Sequence, residues 1–229
     1  MSDSNSREIL IPGDLLSETS EFKAGIGTFR ENGRIYAAQV GIKSIRGNYI
    51  NVVPLAGKYI PKAGDMVIGK IIDIGPSNWL VDINCPYPAP LHVNDVPWRV
   101  DFGDTAKYLN VGNNILVKVL KVDETKRIQL TLKEQGLRRL TSGRIIEISH
   151  SKVPRVIGKS GSMISMLKNY TNTRMFVGQN GRIWIDGEPE DIQLAVEAIN
   201  MIEKEAHLLG LTEKVKEFLE SKKKEKIES

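Results

Sequence analysis

The chain has 229 residues, of which 41% are hydrophobic and 26% charged, a globular composition that excludes a wholly disordered protein. No apolar run approaches the ~18–20 residues of a membrane span, the opening MSDSNSREIL has no basic stretch leading into an apolar core, and a lone Cys85 with three scattered histidines (His92, His150, His207) makes neither an internal disulfide nor a zinc finger. A cytoplasmic protein without cofactor or structural metal is expected, and its net charge of +4 is compatible with a polyanionic partner.

Residues 1–62 read as a small N-terminal β domain. Glycines from Gly13 to Gly57 separate short strand-like runs, Ile35–Val40 and Tyr49–Val53, and Glu31-Asn32-Gly33 reads as a hairpin turn. Eight basic residues against six acids leave this segment at only +2, so docking to protein suits it better than phosphate contact. Residues 63–140 carry five strand candidates: Met66–Ile74, Trp79–Ile83, Leu91–Val93, Ile115–Val122 and Arg127–Leu132. In the last two, Ile115/Val117/Val119 and Ile128/Leu130/Leu132 alternate with polar residues, the period of a strand with one buried face. Five short strands in ~75 residues match a small closed barrel of the oligonucleotide-binding type.

Residues 141–212 change to an α+β pattern in the order β-α-α-β-β-α. A strand at Arg144–Ser149 leads to a short helix at Lys152–Ile157 and a second at Ser162–Tyr170. Strands at Met175–Val177 and Arg182–Ile185 follow, joined by Gln179-Asn180-Gly181. Pro189 then opens a long helix whose apolar stripe is Ile192, Ala195, Val196, Ile199, Ile202, Ala206 and Leu209, with Gly210 as its stop. Charge is polarised along this segment: residues 141–182 hold seven basic side chains against one acid, and residues 183–212 one against seven. Solvated faces of alternating sign would produce that, as would a phosphate-binding side beside a non-binding one. Residues 213–229 read as a charged tail with a weak apolar stripe (Val215, Phe218, Leu219) that frays through Lys222-Lys223-Lys224.

The sharpest chemical feature is Gly158-Lys159-Ser160-Gly161 between the two short helices. Glycines let a phosphate backbone approach, the amides opening the next helix face an anion, Lys159 adds charge and Ser160 a donor. Lys152 and Arg155 lie just upstream. A plain helix–turn–helix glycine pair is the bland alternative. No catalytic constellation is visible. Asp101 and Asp104, in Asp-Phe-Gly-Asp, are the closest acid pair and are expected to cap a short helix at Thr105–Leu109. No GxxxxGK[ST] phosphate loop occurs.

Helix, Gly-x-x-Gly, helix inside β-α-α-β-β-α resembles the nucleic-acid clamp of the type I K-homology (KH) fold. Lys62–Lys133, with PKAGDMVIGKIIDIGPSNWLVDI, PLHVNDV and VGNNILVKVLKVDETKRIQLTLK, resembles an S1 RNA-binding domain. His92 matches the S1 histidine that faces nucleic acid, against the alternative of a half-buried strand histidine. Leu80 occupies the place of the usual S1 aromatic, with Trp79 beside it; Trp79 either stacks on RNA or, since it shares a face with Val81 and Ile83, belongs to a core or interface. In Arg182-Ile183-Trp184-Ile185-Asp186 the two isoleucines should face the KH helices, leaving Trp184 on the other side, covered by the S1 domain or a partner.

The three modules in this order resemble the archaeal exosome RNA-binding cap subunit of the S1/KH type. The resemblance implies a non-catalytic subunit, three of which, alone or mixed with other cap subunits, sit on a hexameric ring of phosphorolytic subunits. The N-terminal domains grip the ring, and the S1 domains line a pore through which the 3′ end of single-stranded RNA is guided. The zinc-ribbon sister subunit is excluded by the single cysteine. A fused phosphorolytic enzyme would need ~200 further residues. A free-standing S1/KH factor of transcription or translation is the remaining alternative, one for which the N-terminal domain has no evident use.

Overall fold

The computed structural model describes residues 9–19, 21–54, 58–206, 208 and 210–228. The chain divides into two compact units, residues 1–57 and 58–229. The division falls before position 62 because Tyr59 is buried in the following barrel. Its hydroxyl donates to Asp65 at 2.6 Å, and the same carboxylate accepts the Lys62 amide at 3.0 Å. Residues 58–62 are thus the lead-in to the barrel.

The first unit contains β1 (Ile9–Leu10), β2 (Leu15–Ser17), β3 (Lys23–Ala24), β4 (Thr28–Glu31), β5 (Arg34–Ala37), β6 (Gly41–Arg46) and β7 (Tyr49–Pro54). They form two sheets, ordered β1-β6-β7-β3 and β2-β5-β4. Alternation sends Ile35 and Ala37, and Ile50 and Val52, inward, where they meet Leu10 and Leu16. Asn32-Gly33 joins β4 to β5 with Glu31 opposite Arg34, the tight hairpin that this pair favours.

The second unit opens with β8 (Met66–Ile74), β9 (Asn78–Asp82), β10 (Ala89–His92), β11 (Asn114–Val122) and β12 (Ile128–Thr131). Their order is β12-β10-β9-β8-β11, and pairing of β11 with β12 closes the barrel. The β10–β12 pair is parallel and the other barrel pairs are antiparallel. Val67, Trp79, Val81, Leu91, Ile115, Val117 and Leu130 alternate into its interior and are fully buried. A further strand absent from the sequence reading, β13 (Arg138–Leu140), pairs with β11 outside the barrel.

The KH portion follows the expected order: β14 (Arg144–Glu147), α1 (Val153–Ile157), α2 (Ser162–Thr171), β15 (Arg174–Val177), β16 (Arg182–Asp186) and α3 (Pro189–Glu205). The sheet is antiparallel with β16 central, in the order β14-β16-β15. The segment expected to fray is instead α4 (Leu211–Glu228). Leu211, Val215 and Leu219 recur at helical spacing and are buried in the same core as Leu167, Ile183 and Ile199. The stripe reads as weak in sequence because only one face of three or four side chains is apolar. Packing against the KH core is what holds it. His207 and Leu209 lie outside the described residues, and α3 ends at Glu205, ahead of Gly210.

The strand face away from the helices is covered by the barrel. Trp184, 5% exposed, packs with Ile68, Leu116 and Leu140, with Ile145 and Phe176 alongside. Its indole N–H donates to the Ser142 carbonyl at 2.6 Å, and the Arg138 guanidinium lies over its ring at 5.4 Å. Ile183 and Ile185 face the helices, as the alternation predicts. The KH sheet therefore has two buried faces, and S1 and KH fold as one unit.

Candidate nucleic-acid interface

The glycine turn between α1 and α2 is shaped by its own backbone. Gly158 has φ 75° and ψ 176°, Ser160 φ 51°, and Gly161 φ 79°. Three positive φ values within four residues turn the chain outward and leave Lys159 and Ser160 exposed at its tip. The two glycines serve different needs. A Cβ on Gly158 would lie 2.7 Å from the backbone N and the Cβ of Met163, so Gly158 is required for the turn to close on α2. A Cβ on Gly161 would meet nothing nearer than Ile164 at 4.0 Å, so its bare surface is open to a ligand. Gly158 is thus closed in by Met163, whereas the space beside Gly161 is open.

No side chain caps the N terminus of α2. The turn's own carbonyls take up the first amides, Gly161 donating to Gly158 at 3.3 Å and Ser162 to Lys159, so Lys159 and Ser160 are the exposed polar side chains that lead into α2. Lys152 and Arg155, half-buried, flank the approach from the last residue before α1 and from within it. Among the described residues no ion pair involves Lys152, Arg155 or Lys159.

The barrel contributes a second surface. His92 ends β10 on its outward face, exposed, while Leu91 points into the core. Its Nδ1 accepts the Asn94 amide at 3.1 Å, which fixes the ring and leaves Nε2 facing outward. In register, His92 lies opposite Asn78, and Pro90 opposite Leu80. Trp79 is not on this surface. It is fully buried, and its Nε1–H donates to the carbonyls of Thr105 and Leu109 at 3.3 and 3.2 Å. Alternation with Val81 decides this, and Trp79 is withdrawn as an RNA-stacking residue.

The acid pair is likewise resolved. Asp101 lies 3.6 Å from Arg99, and Asp104 bonds Lys107 at 2.7 Å instead of capping the short 3-10 turn at Thr105–Lys107. Among the described residues no three His, Cys, Asp or Glu side chains come together as a metal-holding group, and no helix is long and apolar enough to cross a membrane.

The sequence reading missed the residues that lock the barrel to the βααββα segment. Arg182, its side chain 10% exposed, reaches from β16 to the barrel, donating to the Asp82 carboxylate, to the Asp82 carbonyl at 2.7 Å and to Glu147 at 2.7 Å. Asn180 is fully buried and donates to the carbonyls of Ile68 and Ile83 at 2.8 and 3.0 Å. Burial pushes the Asp82 carboxyl upward, but the hydrogen bonds from Arg182 and the Asn84 amide, with the charges of Arg182 and Lys70, together outweigh it and hold the group below the usual carboxylate range. The signal available in sequence was Arg182 beside Trp184 on the non-helical side of the strand.

Comparison with known proteins bears on what these surfaces belong to. Residues 7–56 match the family described as the exosome RNA binding protein RRP4 N-terminal domain, residues 58–105 the RRP4 S1 domain, and residues 143–201 the KH domain. The exosome complex component Rrp4 of Thermoplasma acidophilum is 48% identical over 220 residues, 96% of this chain and 93% of its own length. The chain belongs to the Rrp4 family. Rrp4 of Methanosarcina acetivorans is 48% identical over 97% of this chain and 85% of its own length, and Rrp4 of Thermococcus kodakarensis 47% over 96% and 87%. A crystal structure described as an exosome complex RNA-binding protein superposes with a TM-score of 0.68 at 42% identity, covering 74% of this chain and 99% of its own. The three Rrp4 modules, N-terminal, S1 and KH, therefore account for the β unit, the barrel and the βααββα segment described above.

Proposed function

We propose that this chain is a non-catalytic RNA-binding cap subunit of the exosome. It captures single-stranded RNA and guides the 3′ end toward a ring of phosphorolytic subunits, which perform 3′-to-5′ degradation and tailing. The observation that carries the reading is the Gly158–Gly161 turn, which exposes Lys159 and Ser160 immediately ahead of α2, with Lys152 and Arg155 a few residues upstream. Such a turn recognises a phosphodiester backbone and no particular base. His92, with Nε2 outward on the barrel, supplies a second contact.

The N-terminal unit carries the docking role. Ile9, Ile11, Leu15, Ile26 and Phe29 are exposed on it, a density of apolar side chains that suits a protein partner better than water. Three copies per ring, with the S1 barrels around the entry to the pore, complete the reading. The test is reconstitution. The isolated chain should bind single-stranded RNA and release no nucleotides with phosphate and magnesium present, and adding it to a phosphorolytic ring should raise the ring's affinity for RNA. Nucleotide release by the chain alone, or a ring indifferent to its addition, would contradict the proposal.

A further inference from the structure

Phe102 is the most exposed of the large apolar side chains among the described residues, at 85%. It stands at the tip of the Asp101–Asp104 turn, and that turn is firmly held. The Gly103 amide donates to the Pro76 carbonyl at 3.0 Å and the Asp104 amide to the Asp101 carbonyl at 3.0 Å. The Thr105 hydroxyl donates to the Gly75 carbonyl at 2.7 Å. From inside the barrel, the Trp79 indole holds the carbonyls of Thr105 and Leu109. A phenylalanine fixed in water by this many bonds is presented, not merely left over.

Its location is specific. The connection between β8 and β9, which holds Gly103 through Pro76, also accepts the Val93 amide at the Ser77 carbonyl, 3.0 Å away. Phe102 and the His92–Val93 corner therefore flank one loop. In barrels of this type the face of the second and third strands and the loop joining the first and second bind oligonucleotides. These are β9, β10 and the Gly75–Ser77 connection. The outer side of β9 carries Asn78, Leu80 and Asp82 and that of β10 Pro90 and His92, so these two strands offer a single ring, the His92 imidazole, and no large aromatic side chain.

Charge narrows the partner. Arg99 is paired with Asp101 and Lys107 with Asp104, so the loop is neutral and offers little to a phosphate. A single projecting ring matches the face of one base, worth most where bases are unpaired. A protein interface would need ~800 Å² on each side.

We infer that Phe102 is a base-stacking platform for single-stranded RNA on the S1 barrel, brought from a neighbouring loop that Trp79 anchors. The inference rests on the RNA-binding reading above and adds a base contact to its backbone contacts. The test is affinity of the full chain for a fluorescently labelled single-stranded RNA and for an abasic sugar–phosphate oligomer of the same length, each over a range of salt. Phe102→Ala should weaken RNA binding by roughly five- to a hundredfold without changing the salt slope, Phe102→Trp should restore it, and the abasic oligomer should bind all three chains alike. Equal RNA affinity of Phe102→Ala and the unsubstituted chain would overturn the inference while leaving the RNA-binding reading intact. So would loss of binding that extends to the abasic oligomer, or an effect confined to association with other exosome subunits. Failure of the unsubstituted chain to bind any RNA would overturn both.

Discussion

Replacing Arg182 by methionine should uncouple the S1 and KH modules. The substitution keeps an unbranched apolar stem but loses the guanidinium that bridges Asp82, Glu147 and the Asp82 carbonyl. Removing one partner of a buried ion pair costs ~3–5 kcal/mol because the other charge is left without compensation. Here the side chains of Asp82 and Glu147 are 37% and 57% exposed, so water meets part of their demand and the expected cost falls to about 2–3 kcal/mol. With a urea dependence of ~2 kcal/mol per molar, the midpoint should drop by roughly 1–1.5 M. Tryptophan fluorescence isolates the right unit, since Trp79, Trp98 and Trp184 all lie beyond residue 57. Adding Asp82→Leu to Arg182→Met should recover part of the loss, because the orphaned carboxylate is gone. The acid limb follows with a definite sign. The Asp82 carboxyl is held below its ordinary value in the folded state. Its contribution is therefore complete above the unfolded pKa of ~3.9 and fades as pH falls through the lower folded value. Below about pH 4 the unsubstituted chain should lose stability more steeply than Arg182→Met. A midpoint shift under ~0.3 M, or identical acid limbs, would refute this account of the seam.

The two glycines of the turn should separate by experiment. Gly158→Ala combines a positive φ with a 2.7 Å approach to Met163 and should cost several-fold more than Gly161→Ala, whose penalty is the left-handed backbone alone, ~1 kcal/mol; equal thermal melts would contradict the division. Truncation after Gly210 removes the buried Leu211, Val215 and Leu219, at ~1.5–3 kcal/mol each, and should abolish cooperative unfolding of the KH portion; a native melt would restore the reading of that segment as a tail. Trp79→Phe keeps most of the apolar volume but loses the two bonds to the Thr105–Leu109 loop, so backbone amide exchange around Gly103 should quicken with little change in the barrel strands; uniform exchange would mean the indole does not anchor the loop.

Much of the fold was legible because periodicity reports burial directly. The barrel strands announce themselves by alternation, as in Ile115/Val117/Val119, and the KH portion by its element order around one glycine turn. Even the covered position of Trp184 follows from Ile183 and Ile185 claiming the helical face. What was not legible depended on tertiary pairing. The helical stripe of Val215 and Leu219 is too narrow to distinguish a packed helix from a solvated one until the KH core is in place. Arg182 and Asn180 find their partners about 100 residues away, in β8 and β9. Trp79 illustrates the limit on the site itself. Proximity to the usual S1 aromatic position suggested stacking, whereas strand parity placed the ring inside.

The central claim, that the Gly158–Gly161 turn grips the RNA backbone, is tested most directly by the salt dependence of RNA affinity in the Lys159→Asp, Ser160→Asp double variant. Both side chains are exposed, so the melt should shift by no more than ~0.5 kcal/mol equivalent. One positive charge is removed and two negative ones are added where a phosphate is expected, and repulsion at ~4 Å is worth ~1 kcal/mol even in bulk water. The account predicts weaker binding of many RNA sequences alike, and a plot of log affinity against log salt flattened by roughly one ion-release unit. Unchanged affinity and slope with a native melt would show that the turn is structural and that the RNA is held elsewhere.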